Sequence, residues 1–578
     1  MTGLTASILS RGSFARDAWE MDGVIPRFMA LLCFIIGIYV FISTTAMTIH
    51  GWSPVPYWDQ WDELILSDKQ LLSPWLYSQH NEHRILFPRL FFAIDTFGFA
   101  ETNEFNFSCN IALPLVLAGL IVFVAHRHVS RRKTDTLWIA GVVLTLLFSA
   151  MQYENFVWGF QIQFWGVELA AAASISCLVL ARRSWLSLTA SIGFSAIGVY
   201  TLASGITVPF LAIPLALWAQ RSKAQITVLS IAAVSLLASY LYGYVSPAQH
   251  SDPLFTIFRP GLVRYVVAEI GNPFGQIFSA LVSSHRLIMV LDSAFGTLGL
   301  GLFATTALVL LRRGRVVGGP QLFFVGIAFF VVAVAFLTGL GRLEFGAGQA
   351  LSVRYASPTL LFWLALAMLA IFEVQHHRPD LRLIATSLSL VLVIGLAWEQ
   401  SRFVKTGLAW ASPRREAMTG LLANVDDTEA LKGIYPLPDR LKQLAVQLRA
   451  RHLAVFADEW STWLGTPLTS HIRIGNSAEC QGGIDLVTRL PVSGTAQWRV
   501  SGWSLDNARR APPQRLVLAD STGRVVGYAL AGYASPGHEK RSGWRGHFTA
   551  DKTVSVMAYA LIDDGHTACP LPRTPDAS

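Results

Sequence analysis

The sequence predicts a polytopic α-helical membrane protein of about eleven spanning helices with a β-sandwich at its C-terminal end. Three observations carry this expectation. Of 578 residues, 53% are hydrophobic and only 14% charged, whereas soluble domains are about a quarter charged. Apolar runs of about twenty residues recur through the first four hundred positions. Beyond Arg402 those runs stop, and short alternating strands bounded by Gly, Pro, Asn and Asp take over.

The candidate spans lie near 28–49, 106–126, 136–150, 164–181, 185–203, 206–219, 225–244, 293–311, 320–340, 353–374 and 383–400. The stretch from Leu254 to Leu291 leaves room for a further interfacial or re-entrant helix. The first run follows Arg11, Arg16 and Arg27, but it is too long for a signal-peptide core. Its leader also carries Asp17, Glu20 and Asp22, so it reads as a retained membrane helix. Basic clusters fall in alternate loops: Arg127 with Arg131, Arg132 and Lys133; Arg182 with Arg183; Arg221 with Lys223; Arg312 with Arg313 and Arg315; Arg378 with Arg382. The positive-inside rule then puts the N-terminus in the cytoplasm, and the loop from His50 to Glu104 and everything after Arg402 outside. The same clustering accounts for the net charge of +8 without nucleic acid.

Three regions follow: a membrane domain over 1–402 with its first outer loop at 50–105, a helical connector over 403–470, and a sandwich over 471–578. Cys480 and Cys569 bracket the sandwich. They would form a disulfide in an oxidising compartment, or stand as two free thiols; Cys33, Cys109 and Cys177 lie in or beside apolar runs as small hydrophobes. No internal repeat, Walker loop, dinucleotide fingerprint or zinc spacing is present, which argues against an ATPase, a Rossmann enzyme and a zincin.

Chemistry concentrates in the first outer loop, YWDQWDELILSDKQLLSPWLYSQHNEHRILFPR from Tyr57 to Arg89. Asp59 and Asp62 are three apart, so a short helix would turn both, with Glu63, towards one cavity. Asp59 is the first choice for a general base and Asp62 the second, with an N-cap as the other use of either. His80, Glu82, His83 and Arg84 form a dense polar group suited to sugar hydroxyls or phosphate; a divalent cation on the two histidines and Glu82 is the alternative. No metal site is assigned. In the second outer loop, MQYENFVWGFQIQFW, Tyr153, Glu154 and Gln161 stand among aromatic residues, which suits a sugar-binding wall or an interfacial aromatic belt. Glu168 follows just inside the next helix. In GLGRLEFGAGQALSVRY, Arg342 and Arg354 can hold phosphate by bidentate contact or can snorkel to the interface.

This organisation resembles the GT-C superfamily of integral-membrane glycosyltransferases: an N-in first helix, a large outer loop with an acid near its start, many further helices, and an outer C-terminal domain. The segment from Pro56 to Leu90, with acids followed by a basic-proline patch between aromatics, is similar to the first loop of lipid-linked sugar transferases of the aminoarabinose and mannosyl type. The resemblance implies Asp59 or Asp62 as base, Glu154 as a helper in substrate binding, and a late-loop arginine as ligand of the donor phosphate. The chain departs from the aminoarabinose type in carrying HNEHR where that group has a lysine-proline pair, so the donor is not carried over. The C-terminal region resembles carbohydrate-binding modules, with Trp498, Trp503 and Trp544 as stacking or core residues.

The expected function is therefore sugar transfer at the periplasmic face of a bacterial inner membrane. The donor would be a polyprenyl-phosphate-linked sugar, such as the pentose arabinofuranose, and the acceptor a hydroxyl of an envelope glycan or lipid. The rivals are a transporter or flippase of lipid-linked saccharide and a non-catalytic envelope glycan-binding protein. Membrane lipids are partners in each reading; nucleic acid is in none.

Overall fold

The computed structural model describes residues 24–247, 256–314, 317–376, 381–492, 494–535, 537–538, 541–550 and 556–572. Arg11, Arg16, Arg315 and Arg378, and the acids Asp17, Glu20 and Asp22, lie outside the described residues. The chain forms two compact units: residues 1–50, 73–90 and 107–408 in the first, and residues 51–72, 91–106 and 409–578 in the second.

Among the described residues, nine helical segments are long and apolar enough to cross a membrane. In chain order the helices up to the first basic loop are α1 (Ile25–His50), α2 (Leu86–Phe99) and α3 (Glu104–His128). Then come α4 (Lys133–Leu147), α5 (Tyr153–Val157), α6 (Ile162–Val179), α7 (Trp185–Val199), α8 (Thr207–Trp218) and α9 (Lys223–Leu241). The late helices are α10 (Pro260–Phe278), α11 (His285–Arg313), α12 (Gly319–Arg342), α13 (Ala356–His376) and α14 (Arg382–Leu422). The eleven expected spans fall on these nine segments and on two shorter apolar stretches, Trp185–Val199 and Ala203–Trp218. The stretch left unassigned from the sequence is the helix α10.

These helices are apolar on more than one side, as hydrocarbon solvent requires. On α14, Leu388, Val391 and Trp398 are more than half exposed, and on α1 so are Ile35 and Ile42, surfaces that water would not tolerate in such number. Inside the first unit, α12 and α13 bury two thirds or more of their apolar windows and form its centre. Without a hydrophobic force between helices in lipid, close backbone approach at glycine holds them together. A Cβ on Gly141 of α4 would lie 2.4 Å from the Cys33 carbonyl of α1, and one on Gly296 of α11 would lie 1.7 Å from the Val267 carbonyl of α10.

The second unit is built around an eight-stranded sheet of order β3-β10-β9-β6-β7-β8-β5-β4. Its strands are β3 (Arg473–Ile474), β4 (Cys480–Arg489), β5 (Gln497–Asp506), β6 (Arg515–Ala519), β7 (Val525–Tyr533), β8 (Gly543–Thr549), β9 (Met557–Ile562) and β10 (Thr567–Leu571). The expected strands are present, but they pair as one continuous, curled sheet, a half-barrel, instead of two stacked sheets. Alternation sets which face is inside: along β5, Val500, Gly502, Ser504 and Asp506 are buried. The inner face packs Ile484, Leu516, Leu518, Ala529, Trp544, Phe548 and Ala560 into one core. Trp544 is therefore a core residue and not a stacking surface. Trp498 stacks on Phe548 beside it, whereas Trp503 stacks on the exposed His538 at 3.8 Å. Cys480 and Cys569 are bonded and join β4, one edge of the sheet, to β10 near the other.

Two further helices of this unit, α15 (Thr428–Lys432) and α16 (Pro438–Ala450), lie in the expected connector. Asp427 caps α15 by accepting from the Ala430 N–H at 3.2 Å. Its other oxygen meets His547 of β8 at 2.9 Å and Arg499 of β5 at 2.7 Å, which fixes the connector to the sheet. Burial would push the Asp427 carboxyl up, but these hydrogen bonds outweigh it and hold the group well below the usual carboxylate range.

Candidate functional site

In the first unit, the segment HNEHR makes a small hairpin. β1 (Gln79–His80) pairs antiparallel with β2 (His83–Arg84), and Asn81 takes a left-handed backbone at the turn with φ 47°. Asparagine tolerates that conformation better than most residues. Arg84, which the sequence offers as a phosphate ligand, is instead the hairpin's anchor. It is buried, donates to the backbone carbonyls of Tyr240, Tyr77 and Tyr242, and lies 4.6 Å from the centre of the Tyr77 ring. The Tyr240 hydroxyl donates to the Glu82 carbonyl at 2.7 Å, and Gln79 exchanges two hydrogen bonds with Val245. The turn is thus tied to the end of α9.

So held, Glu82 presents its carboxylate to Arg342, the last residue of α12, in an ion pair. The same oxygen lies 3.3 Å from His83 Nε2. His83 Nδ1 accepts from the Ala203 N–H at 3.2 Å, which puts the proton of the neutral ring on Nε2, the nitrogen beside Glu82. Both ring nitrogens of His83 thus face groups of the protein. Among the described residues no group of three or more His, Cys, Asp or Glu is assembled to hold a metal ion. His80 is buried 5.4 Å from the Phe160 ring, a packing position.

The second outer loop reaches the same region from another direction. Asn155 donates to the Arg354 carbonyl at 2.9 Å, and Glu154 lies within electrostatic reach of the Arg354 guanidinium. The loop's aromatic rings do not form a wall facing solvent. Phe156, Trp158, Phe160 and Trp165 are buried, Phe156 stacks on Phe148, and Trp165 donates to the Asn155 carbonyl. Gln161 is buried with them, while Tyr153 is half-buried and packs against Gly407 of α14. Glu168, below, accepts from Ser357 of α13 at 2.6 Å.

The loop after α12 carries both late arginines. Three short turns, Leu343–Phe345, Ala347–Leu351 and Val353–Tyr355, replace regular helix. Gly346 at φ 91° supplies a backbone conformation that a side chain would strain. Asn272 of α10 donates to the carbonyls of Ala350 and Ser352, both at 3.0 Å, and Gln276 donates to Leu351. Arg342 and Arg354, twelve positions apart, both act electrostatically on the Tyr265 hydroxyl of α10. The first unit thus gathers Glu82, His83, Glu154, Arg342 and Arg354 around one loop, from three separate stretches of sequence.

No family model, curated protein or solved structure matches this chain.

Asp59, Asp62 and Glu63 belong to the second unit. The expected short helix is there: Trp58–Asp62 is a turn of 3-10 helix, entered through Trp58 at φ 48° and pinned by the Trp58 N–H donating to the Ile434 carbonyl at 2.8 Å. Gln60, on the buried side, donates to Asn103 at 2.6 Å. Asp62 accepts from the Tyr435 hydroxyl and pairs with Arg440, each at 2.8 Å. Tyr435 is pushed up to about 12, by burial first and then by that hydrogen bond to Asp62. Asp59 is half-buried on the same turn and adds to the negative field at Tyr435; Glu63 is buried.

The sequence reading passed over Tyr265, Glu269 and Asn272, which all sit on α10. Their signal was available as three polar residues at helical spacing inside a stretch whose mixed composition hid it from a search for long apolar runs.

Proposed function

We propose that this protein is a membrane glycosyltransferase that moves a sugar from a polyprenyl-phosphate carrier to a hydroxyl acceptor, inverting the anomeric centre. The observation that carries the reading is the convergence of Arg342 and Arg354 with Glu82, His83 and Glu154 in the first unit. Two guanidinium groups on one loop suit a lipid-linked phosphate, and acids beside them suit sugar hydroxyls. The acceptor oxygen bonds to the anomeric carbon, the bond from that carbon to the phosphate oxygen breaks, and its electron pair leaves on the phosphate. A fixed arginine stabilises the departing charge. The acceptor's proton goes to a carboxylate of the same unit, Glu154 beside the Arg354 guanidinium or Glu82 beside Arg342. A lipid-borne donor needs no nucleotide-binding fold.

The Cys480–Cys569 disulfide supports an oxidising compartment for the C-terminal unit, such as the periplasm of a bacterium whose inner membrane holds the helices. The half-buried Trp503, stacked on the exposed His538, supports glycan binding by the half-barrel as an accessory property. Purified protein given a lipid-linked sugar tests the reading. Glu154→Gln should lower turnover by at least about a hundredfold without changing the melting temperature. Full turnover in both Glu82→Gln and Glu154→Gln would remove the assignment. Movement of a fluorescent carrier across liposomes without sugar transfer would favour a flippase.

A further inference from the structure

The helix α10 carries a stripe of buried polar groups that the protein itself leaves unmatched. Tyr265, Glu269 and Asn272 stand at positions i, i+4 and i+7 and so share one face. All three are fully buried. The Tyr265 hydroxyl, both carboxylate oxygens of Glu269 and the Asn272 side-chain oxygen have no hydrogen-bond partner among the described residues. A buried polar atom without a partner is destabilising, so four on one stripe call for a ligand or solvent that completes them. The stripe adjoins the arginine loop: Asn272 turns its amide nitrogen to Ala350 and Ser352, which leaves its oxygen facing elsewhere, and Tyr265 packs with Ala350 and Leu343.

The chemistry of the missing partner can be read from what is orphaned. A carboxyl sealed from water and unpaired is held protonated, so Glu269 offers a donor and an acceptor beside the Asn272 acceptor and the Tyr265 hydroxyl, and the ligand must bring both donors and acceptors. A phosphate brings no donors at neutral pH and leaves the Asn272 oxygen unmatched. A simple cation would meet the field of Arg342 and Arg354, which also acts on Tyr265. A polyol supplies several hydroxyl donors and one acceptor position for the tyrosine hydroxyl, without net charge. We infer that Tyr265, Glu269 and Asn272 form the recognition surface for the hydroxyls of a sugar, an inference that rests on the transferase reading and divides labour within it. The loop arginines take the carrier's phosphate, and the α10 stripe reads the sugar.

The test compares two probes on the full-length protein in detergent: bare polyprenyl phosphate, and the same carrier bearing arabinofuranose, mannose or glucose. Binding is measured by change in tryptophan fluorescence. Wild type should bind at least one glycosylated carrier more tightly than the bare one. Tyr265→Phe and Glu269→Gln should each weaken that glycosylated carrier by about tenfold while leaving bare carrier within about twofold. Arg354→Ala should weaken both. If Glu269→Gln fails to fold, Tyr265→Phe, which removes one oxygen atom, decides the outcome. The inference is overturned if both variants keep wild-type affinity for every probe, or if they lose bare and glycosylated carrier alike. Wild type that binds bare carrier but no glycosylated form more tightly sinks the sugar surface and spares the phosphate site. Binding of neither probe sinks the transferase reading itself.

Discussion

Glu101 shows how a single buried acid sets a pH dependence. It lies in the short connection between α2 and α3, in a left-handed backbone conformation at φ 61°, and it accepts from Thr96. Burial pushes its carboxyl up to about 8, the neighbouring Asp95 adds to this, and the Thr96 hydroxyl only partly offsets it. Asp95, whose oxygens accept from the Asn103 and Phe105 N–H groups at 2.9 Å, is likewise raised to about 6, chiefly by burial. A carboxyl whose pKa is higher folded than unfolded binds more protons in the folded state. Its contribution is therefore present at low pH and is lost as pH rises from about 4.3 towards 8. Melting of the wild-type protein should fall across that window, and Glu101→Gln should flatten the slope; an unchanged slope would locate the effect elsewhere. At this scale the sequence was informative where a side chain stood in a dense polar run, as with Glu82 and His83. It was silent where burial creates the property. Nothing in HNEHR distinguishes Arg84, spent on three backbone carbonyls, from Arg342, which meets a carboxylate. That difference is made by α9, more than a hundred and fifty positions away.

Among elements, the half-barrel depends on a covalent tie between strands that do not pair with each other. Joining β4 to β10 closes a loop of 89 positions and contributes on the order of 4 kcal/mol through the entropy of the unfolded chain. A Cys480→Ser, Cys569→Ser double variant should melt well below wild type, and amide exchange should show β4 losing protection before β7 and β8, which are paired on both sides. Equal loss across all strands would mean the tie is not what holds the edge. The strands themselves were legible, because alternation and turn residues are local signals. Their assembly into one curled sheet was not, since period two states which side chains share a face and says nothing of which strand lies beside which. The same limit explains α10. Gly271 and Gly275 let it approach α11 so closely that a Cβ on either would collide with Asp292. A helix shaped by small and polar residues leaves little trace in hydropathy.

For the molecule as a whole, the charge pattern makes a commitment that reporters can read. Alternation of the basic clusters predicts that an enzyme active only outside the cytoplasm will work when fused after Leu422 and fail when fused in the Arg131–Lys133 loop. The opposite result would invert every assignment of face. The placement of the apolar helices could be read in advance because a bilayer imposes a common length on those that cross it. The division into two units could not, because each is assembled from discontinuous stretches, with residues 51–72 and 91–106 grouped with the distant C-terminal region. That grouping has a counterpart in the order of the sheet. The final strand, β10, slots between β3, the first to emerge, and β9. Until Thr567–Leu571 has been made, β3 has no neighbour, Cys480 no mate, and β9 an uncovered margin ready to recruit a stranger. A chain halted before Thr567 would therefore offer raw strand margins and a lone thiol, and would be prey for chaperones and proteases rather than a slightly shortened version of the folded protein.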